Sequence, residues 1–121
     1  MPYTILLVED YDDTREFLRF LLELKGYKVI EAKDGYQAVK YSRQIHPDLI
    51  LMDMALPIMD GISATREIRK LDETKDIPII AITAFGVSFY EEALAAGCNE
   101  VIGKPLDSSS LKTAIAHYLP S

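Results

Sequence analysis

The chain has a single cysteine, Cys98, among 121 residues, so no internal disulfide can form and the fold must hold by packing alone. No apolar run reaches the roughly 20 residues that a membrane-crossing helix needs, and no signal-peptide pattern precedes the first strand-like segment. The 13 lysines and arginines are scattered among 19 acidic residues, for a formal net charge of -6. That distribution offers no basic patch to a nucleic acid and none to an anionic membrane surface. Only two histidines occur, His46 and His117, and both read as ordinary surface residues. With no cysteine or histidine cluster, nothing suggests zinc. Internal repeats, low-complexity tracts and linkers are absent too. The expectation is one cytoplasmic domain spanning residues 1–121, with no attached output domain, for which protein and metal partners stay open.

What is present is an alternation. Five short apolar runs, Ile5–Val8, Val29–Ile30, Leu49–Met52, Ile79–Ile82 and Val101–Ile102, read as strands. Between and after them lie residues at helical spacing. Phe17, Leu18, Leu21 and Leu22 precede a stop at Gly26, and Ala38 with Val39 follows. Then come Ile62, Thr65 and Ile68; Ala93, Leu94 and Gly97; and Leu111, Ala114, Ile115 and Tyr118. Each set predicts the inward face of a helix. Crossover helices imply parallel strands, because a tight hairpin cannot join a parallel pair. Runs that are apolar at every position must be covered on both faces, whereas Lys28, Glu31 and Glu100 mark the second and fifth strands as edges. The predicted class is therefore α/β, a flavodoxin-like doubly wound five-stranded parallel sheet of order 2-1-3-4-5 with helices on both faces. Cys98, beside Gly97, reads as a small buried hydrophobe.

In such a sheet ligands bind at the carboxyl ends of the strands. Glu9 and Asp10 follow the first strand, Asp53 follows the third, Thr83 ends the fourth and Lys104 follows the fifth. Three carboxylates gathered on one rim repel one another unless some stay protonated or a cation neutralises them. A hard divalent cation is the simplest answer, and magnesium, which takes a few oxygen ligands and keeps several waters, suits a shallow acidic rim. A metal-bound carboxylate can then attack a phosphoryl donor while a lysine neutralises the oxygens of the transferring group.

With Glu9-Asp10, Asp53, Thr83 and Lys104-Pro105 in these places, the chain resembles the receiver domain of two-component response regulators over essentially its whole length. The resemblance implies that Asp53 accepts a phosphoryl group from a histidine kinase or a histidine phosphotransfer protein. It implies that Asp10 binds Mg2+ directly, that Glu9 acts largely through water, and that Ala55 lends its backbone carbonyl. Thr83 would turn its hydroxyl to the phosphoryl oxygens and Lys104 would pair with them. Lys104-Pro105 resembles the family's cis peptide, which an X-Pro bond adopts for only about 0.5 to 1 kcal/mol. The implied protein is a switch rather than an enzyme, although such a domain assists its own phosphorylation and dephosphorylation. Its output would be a protein-binding surface on the fourth helix, fifth strand and fifth helix, with Phe85, Phe89 and Tyr90 at the entrance.

Two departures from the family pattern shape the expectations. Val101 stands where many relatives carry an aromatic residue that swings inward, so the signal should rest on Thr83 and the loop behind it. Ala55 and Phe85, each two residues beyond a site residue, cannot orient water, which predicts a long-lived phosphoryl group. Three other functions fit parts of the pattern. A flavin phosphate would be repelled by Glu9-Asp10-Tyr11-Asp12-Asp13. A phosphohydrolase resembling the haloacid dehalogenase group needs a second aspartate where Ala55 stands. A receiver-like module that binds proteins without phosphate stays open.

Overall fold

A computed structural model describes residues 2–84 and 87–120. The order of elements is β1 (Thr4–Val8), α1 (Asp12–Leu24), β2 (Lys28–Ala32), α2 (Gly35–Ile45), β3 (Leu49–Asp53), α3 (Gly61–Lys70), β4 (Ile79–Thr83), α4 (Val87–Ala96), β5 (Glu100–Gly103) and α5 (Ser108–Tyr118). The sheet runs β2-β1-β3-β4-β5 with every neighbouring pair parallel, the order and class that the apolar runs implied.

The two-residue period of a strand divides the core into two layers. Leu6, Val8, Ile50, Met52, Ile79 and Ala81 point to one face, where Ala38, Ile62, Ala64, Ile68 and Ala93 of α2, α3 and α4 cover them. Ile5, Leu7, Leu49, Leu51, Ile80 and Ile82 point to the other, under Leu18 and Leu22 of α1 and Leu111, Ala114 and Ile115 of α5. All of β3 and β4 is buried, and each fully buried Leu or Ile contributes about 1.5–3 kcal/mol. Cys98 is buried as expected, with its sulfur 3.5 Å from the Thr65 hydroxyl. Among the described residues no helix is long and apolar enough to cross a membrane.

Three helices begin at an aspartate cap: Asp34 accepts from the Gln37 amide, Asp60 from Ser63 and Asp107 from Ser110. Helix α1 begins at Tyr11 with no side-chain cap. Two glycines press helix starts onto the segment after β3. A Cβ on Gly35 would run into the Met59 carbonyl, and one on Gly61 would lie 2.7 Å from the Asp53 carbonyl oxygen.

Two helix faces differ from expectation. On α1 the inward stripe is Arg15, Leu18 and Leu22, while Leu21 is only half-buried. Phe17, Phe20 and Leu24 are 58%, 60% and 66% exposed. Successive helical residues diverge by about 100°, so Phe17 cannot share Leu18's direction, and the 15-18-22 spacing fits the sheet better. On α4, Ala93 and Ala96 face inward and Leu94 faces solvent, again because residues three apart share a stripe. His46 is exposed at the end of α2, where it takes a left-handed φ of 52°, and His117 is exposed on α5.

Candidate functional site

The carboxyl ends of the strands bring most of the predicted side chains together. Glu9 directly follows β1, and its backbone N–H is fixed by donation to the Ala32 carbonyl at the end of β2 (3.1 Å). Asp53 is the last residue of β3 and Thr83 the last of β4; all three are buried, while Asp10 is exposed. Lys104 follows β5, and its amide donates to the Thr83 carbonyl at 2.8 Å. The Lys104-Pro105 peptide is cis.

The polar contacts are specific. Lys104 Nζ lies 2.7 Å from Asp53 Oδ2 and 3.7 Å from Glu9 Oε1. The Ala55 amide donates to Asp53 Oδ1 at 2.9 Å, and the Tyr11 amide donates to Glu9 Oε2 at 3.1 Å. One carboxylate oxygen from each of Glu9, Asp10 and Asp53 lies within 4.8 Å of the others. Glu9 Oε1 is buried without a hydrogen-bond donor, although the Lys104 ammonium is near.

These contacts shift the titration of the site. Burial pushes the Glu9 carboxyl up to about 7; the Tyr11 amide pulls it down, the Asp53 charge pushes it further up and Lys104 opposes that push. Burial alone would lower the Lys104 ammonium, but its hydrogen bond and ion pair with Asp53, joined by Glu9, outweigh burial and leave it raised. The rim thus gathers three carboxylates around the Lys104 ammonium. A hard dication fits this donor set: all the ligand atoms are oxygens, Glu9 Oε1 lacks a donor, and the exposure of Asp10 leaves room for metal-bound water.

Other expected residues lie farther out. Val101 and Phe89 are half-buried against the layer beneath α2, α3 and α4, and Tyr90 is exposed. Phe85 lies outside the described residues. Two features went unread in the sequence. Arg15 is a buried arginine that reaches the Glu9 carbonyl, and its signal was a charged residue on the stripe of Leu18 and Leu22. Ile58, in the loop after Asp53, takes a φ of 69° and is exposed, with Met59 N–H donating to the Pro57 carbonyl at 2.7 Å. That three-residue turn puts a β-branched side chain in a strained backbone region.

A doubly wound parallel sheet of order 2-1-3-4-5 with an acidic, lysine-braced rim at the ends of its central strands places the chain in the class of flavodoxin-like receiver folds. Residues 5–116 match the response regulator receiver domain family. The chain is 37% identical over 120 residues to the polar-differentiation response regulator DivK of Brucella anthropi, and 36% identical to that of Brucella ovis, in each case over 98% of both proteins. It is similar to the receiver domain of a Pseudomonas aeruginosa sensor histidine kinase whose active-site cleft coordinates a magnesium ion, with a TM-score of 0.92 and 38% identity over 100% of both chains. A Saccharomyces cerevisiae complex, of a histidine phosphotransfer signaling protein with the receiver domain of its downstream response regulator, matches with a TM-score of 0.87. There the identity is 28%, over 97% of this chain and 88% of that one. The chain belongs to the response regulator receiver domain family.

Proposed function

We propose that this receiver domain is a phosphorylation-dependent switch. Asp53 accepts a phosphoryl group from a histidine kinase or histidine phosphotransfer protein, at a magnesium site made by Glu9, Asp10, Asp53 and the Ala55 backbone carbonyl. The observation that carries the reading is the buried Asp53 carboxylate gripped by Lys104 beside a Glu9 oxygen that lacks a hydrogen-bond donor. Magnesium, when bound, neutralises the rim and lowers the repulsion between Asp53 and an incoming phosphoryl group.

The rest is done by the chain. An Asp53 oxygen forms the new O–P bond as the P–N bond to the donor imidazole breaks, and the imidazole leaves with the electron pair. The Ala55 amide holds Asp53 Oδ1 in place, and Lys104 transfers its pairing from Asp53 Oδ2 to the phosphoryl oxygens. Thr83, on the strand next to β3, turns its hydroxyl to the same oxygens. Because the Lys104 amide is bonded to the Thr83 carbonyl, the ends of β4 and β5 respond together. The surface of α4, β5 and α5, where Tyr90 and Leu94 stand exposed one turn apart, would present the outcome to a downstream protein. The outward stripe of Phe17, Phe20 and Leu24 on α1, the helix that follows the Glu9-Asp10 turn, offers the phosphodonor protein an apolar surface. Phosphorylation can shift the output surface only by the difference in its interaction energy with two coexisting states.

The test is intact mass after incubation with Mg2+ and acetyl phosphate, beside Asp53→Asn and a magnesium-free control. The expected result is a single phosphoryl adduct, lost in both controls. No adduct under any condition would overturn the reading in favour of a phosphate-independent binding module.

A further inference from the structure

On the inward stripe of α1, one turn before Leu18, stands an arginine that is 6% exposed. Burying a guanidinium is strongly unfavourable unless hydrogen bonds and opposite charges compensate. Arg15 Nη1 donates to the Glu9 carbonyl at 3.0 Å in buried surroundings, and Nη2 donates to Asp12 Oδ1 at 2.6 Å. Its Nε lies 3.4 Å from Glu31 Oε1 of β2 without a hydrogen bond, while Glu31 is itself held at 2.9 Å by Arg19.

A second observation gives these contacts a purpose. The turn Glu9-Asp10-Tyr11 enters the one helix among α1, α2, α3 and α5 that no side chain caps. It is held instead from inside the helix, by Arg15. With the Glu9 N–H fixed to Ala32, both backbone polar groups of Glu9 are anchored. The Glu9 carbonyl and the Asp10 amide form a single planar unit, so tilting that plane re-aims both carboxylates.

We propose that Arg15 is a positioning residue for the acidic rim: its hydrogen bond to the Glu9 carbonyl fixes the directions from which Glu9 and Asp10 meet a magnesium ion. The inference rests on the reading of the rim as a magnesium site. The arrangement calls for arginine, since three partners in different directions suit a rigid fork and not the single ammonium of lysine. Electrostatics sharpens the test. A nearby cation repels Mg2+, so deleting the charge alone would tighten magnesium binding, whereas losing the aim of two carboxylates weakens it.

The experiment is calorimetric titration of the unphosphorylated full chain with Mg2+, for wild type, Arg15→Met and Arg15→Lys, with thermal melts in EDTA alongside. Arg15→Lys keeps the charge and the aliphatic stem, which guards against a variant that does not fold. Expected is a rise in the magnesium Kd of about tenfold in both variants, the scale typical of residues that orient metal ligands. An unchanged or tighter Kd in a folded variant, even with a lowered Tm, would overturn the proposal and leave Arg15 a purely structural residue. If wild type binds no magnesium, the metal reading itself fails and takes the inference with it.

Discussion

Glu9→Gln should make the metal-free protein more stable above neutral pH. In the folded protein the Glu9 carboxyl is raised from 4.5 to about 7, chiefly by burial. Between those two values the folded state holds a proton that the unfolded state has released, so stability falls as pH rises through the interval. A difference of 2.5 units at about 1.36 kcal/mol each places the full loss near 3 kcal/mol above pH 7. Glutamine keeps an oxygen for the Tyr11 amide and carries no charge to desolvate. Urea denaturation in EDTA at pH 5 and pH 8 measures the effect, with each variant compared with wild type at the same pH so that other carboxylates cancel. The stability gap in favour of Glu9→Gln should widen by about 2–3 kcal/mol between those pH values. Added Mg2+ should stabilise wild type at pH 8 and Glu9→Gln much less. A gap that stays constant with pH, or that favours wild type at pH 8 in EDTA, would refute the reasoning.

Gly35→Ala should destabilise the domain by about 1–3 kcal/mol, because the new methyl group meets the Met59 backbone carbonyl and one of two segments has to move. An unchanged urea midpoint would show that the contact between α2 and the loop yields freely. Ala55→Asn should shorten the life of the phosphorylated protein several-fold, since an amide at the rim can orient water that a methyl group cannot. Loss of the adduct followed by intact mass over time checks this, and an unaltered decay would remove position 55 from control of hydrolysis.

The strand order was readable because burial on both faces leaves a mark in sequence: β3 and β4 are apolar at every position before Asp53 and Thr83, whereas Lys28, Glu31 and Glu100 show which strands lie at the edges. Once the order was fixed, topology carried Glu9, Asp53, Thr83 and Lys104 to one rim. The facing of α1 was not readable. Phe17, Leu18, Phe20, Leu21 and Leu22 supply more apolar side chains than one face can bury, so periodicity alone selects no stripe. Arg15 was hidden for the opposite reason: an arginine in an acidic stretch reads as solvated, and only the position of the Glu9 carbonyl reveals why it is buried. The contact of Gly35 with Met59 joins residues distant in sequence, which no local pattern records.

The outward stripe on α1 also has a colloidal consequence. Phe17, Phe20 and Leu24 form an exposed apolar stripe, and the net charge of -6 opposes the approach of two copies through it. That repulsion reaches about 10 Å at 0.1 M salt and only about 3 Å at 1 M, whereas apolar attraction is not screened. Raising the salt concentration should therefore favour self-association through this stripe, which light scattering of the protein at low and high salt would read.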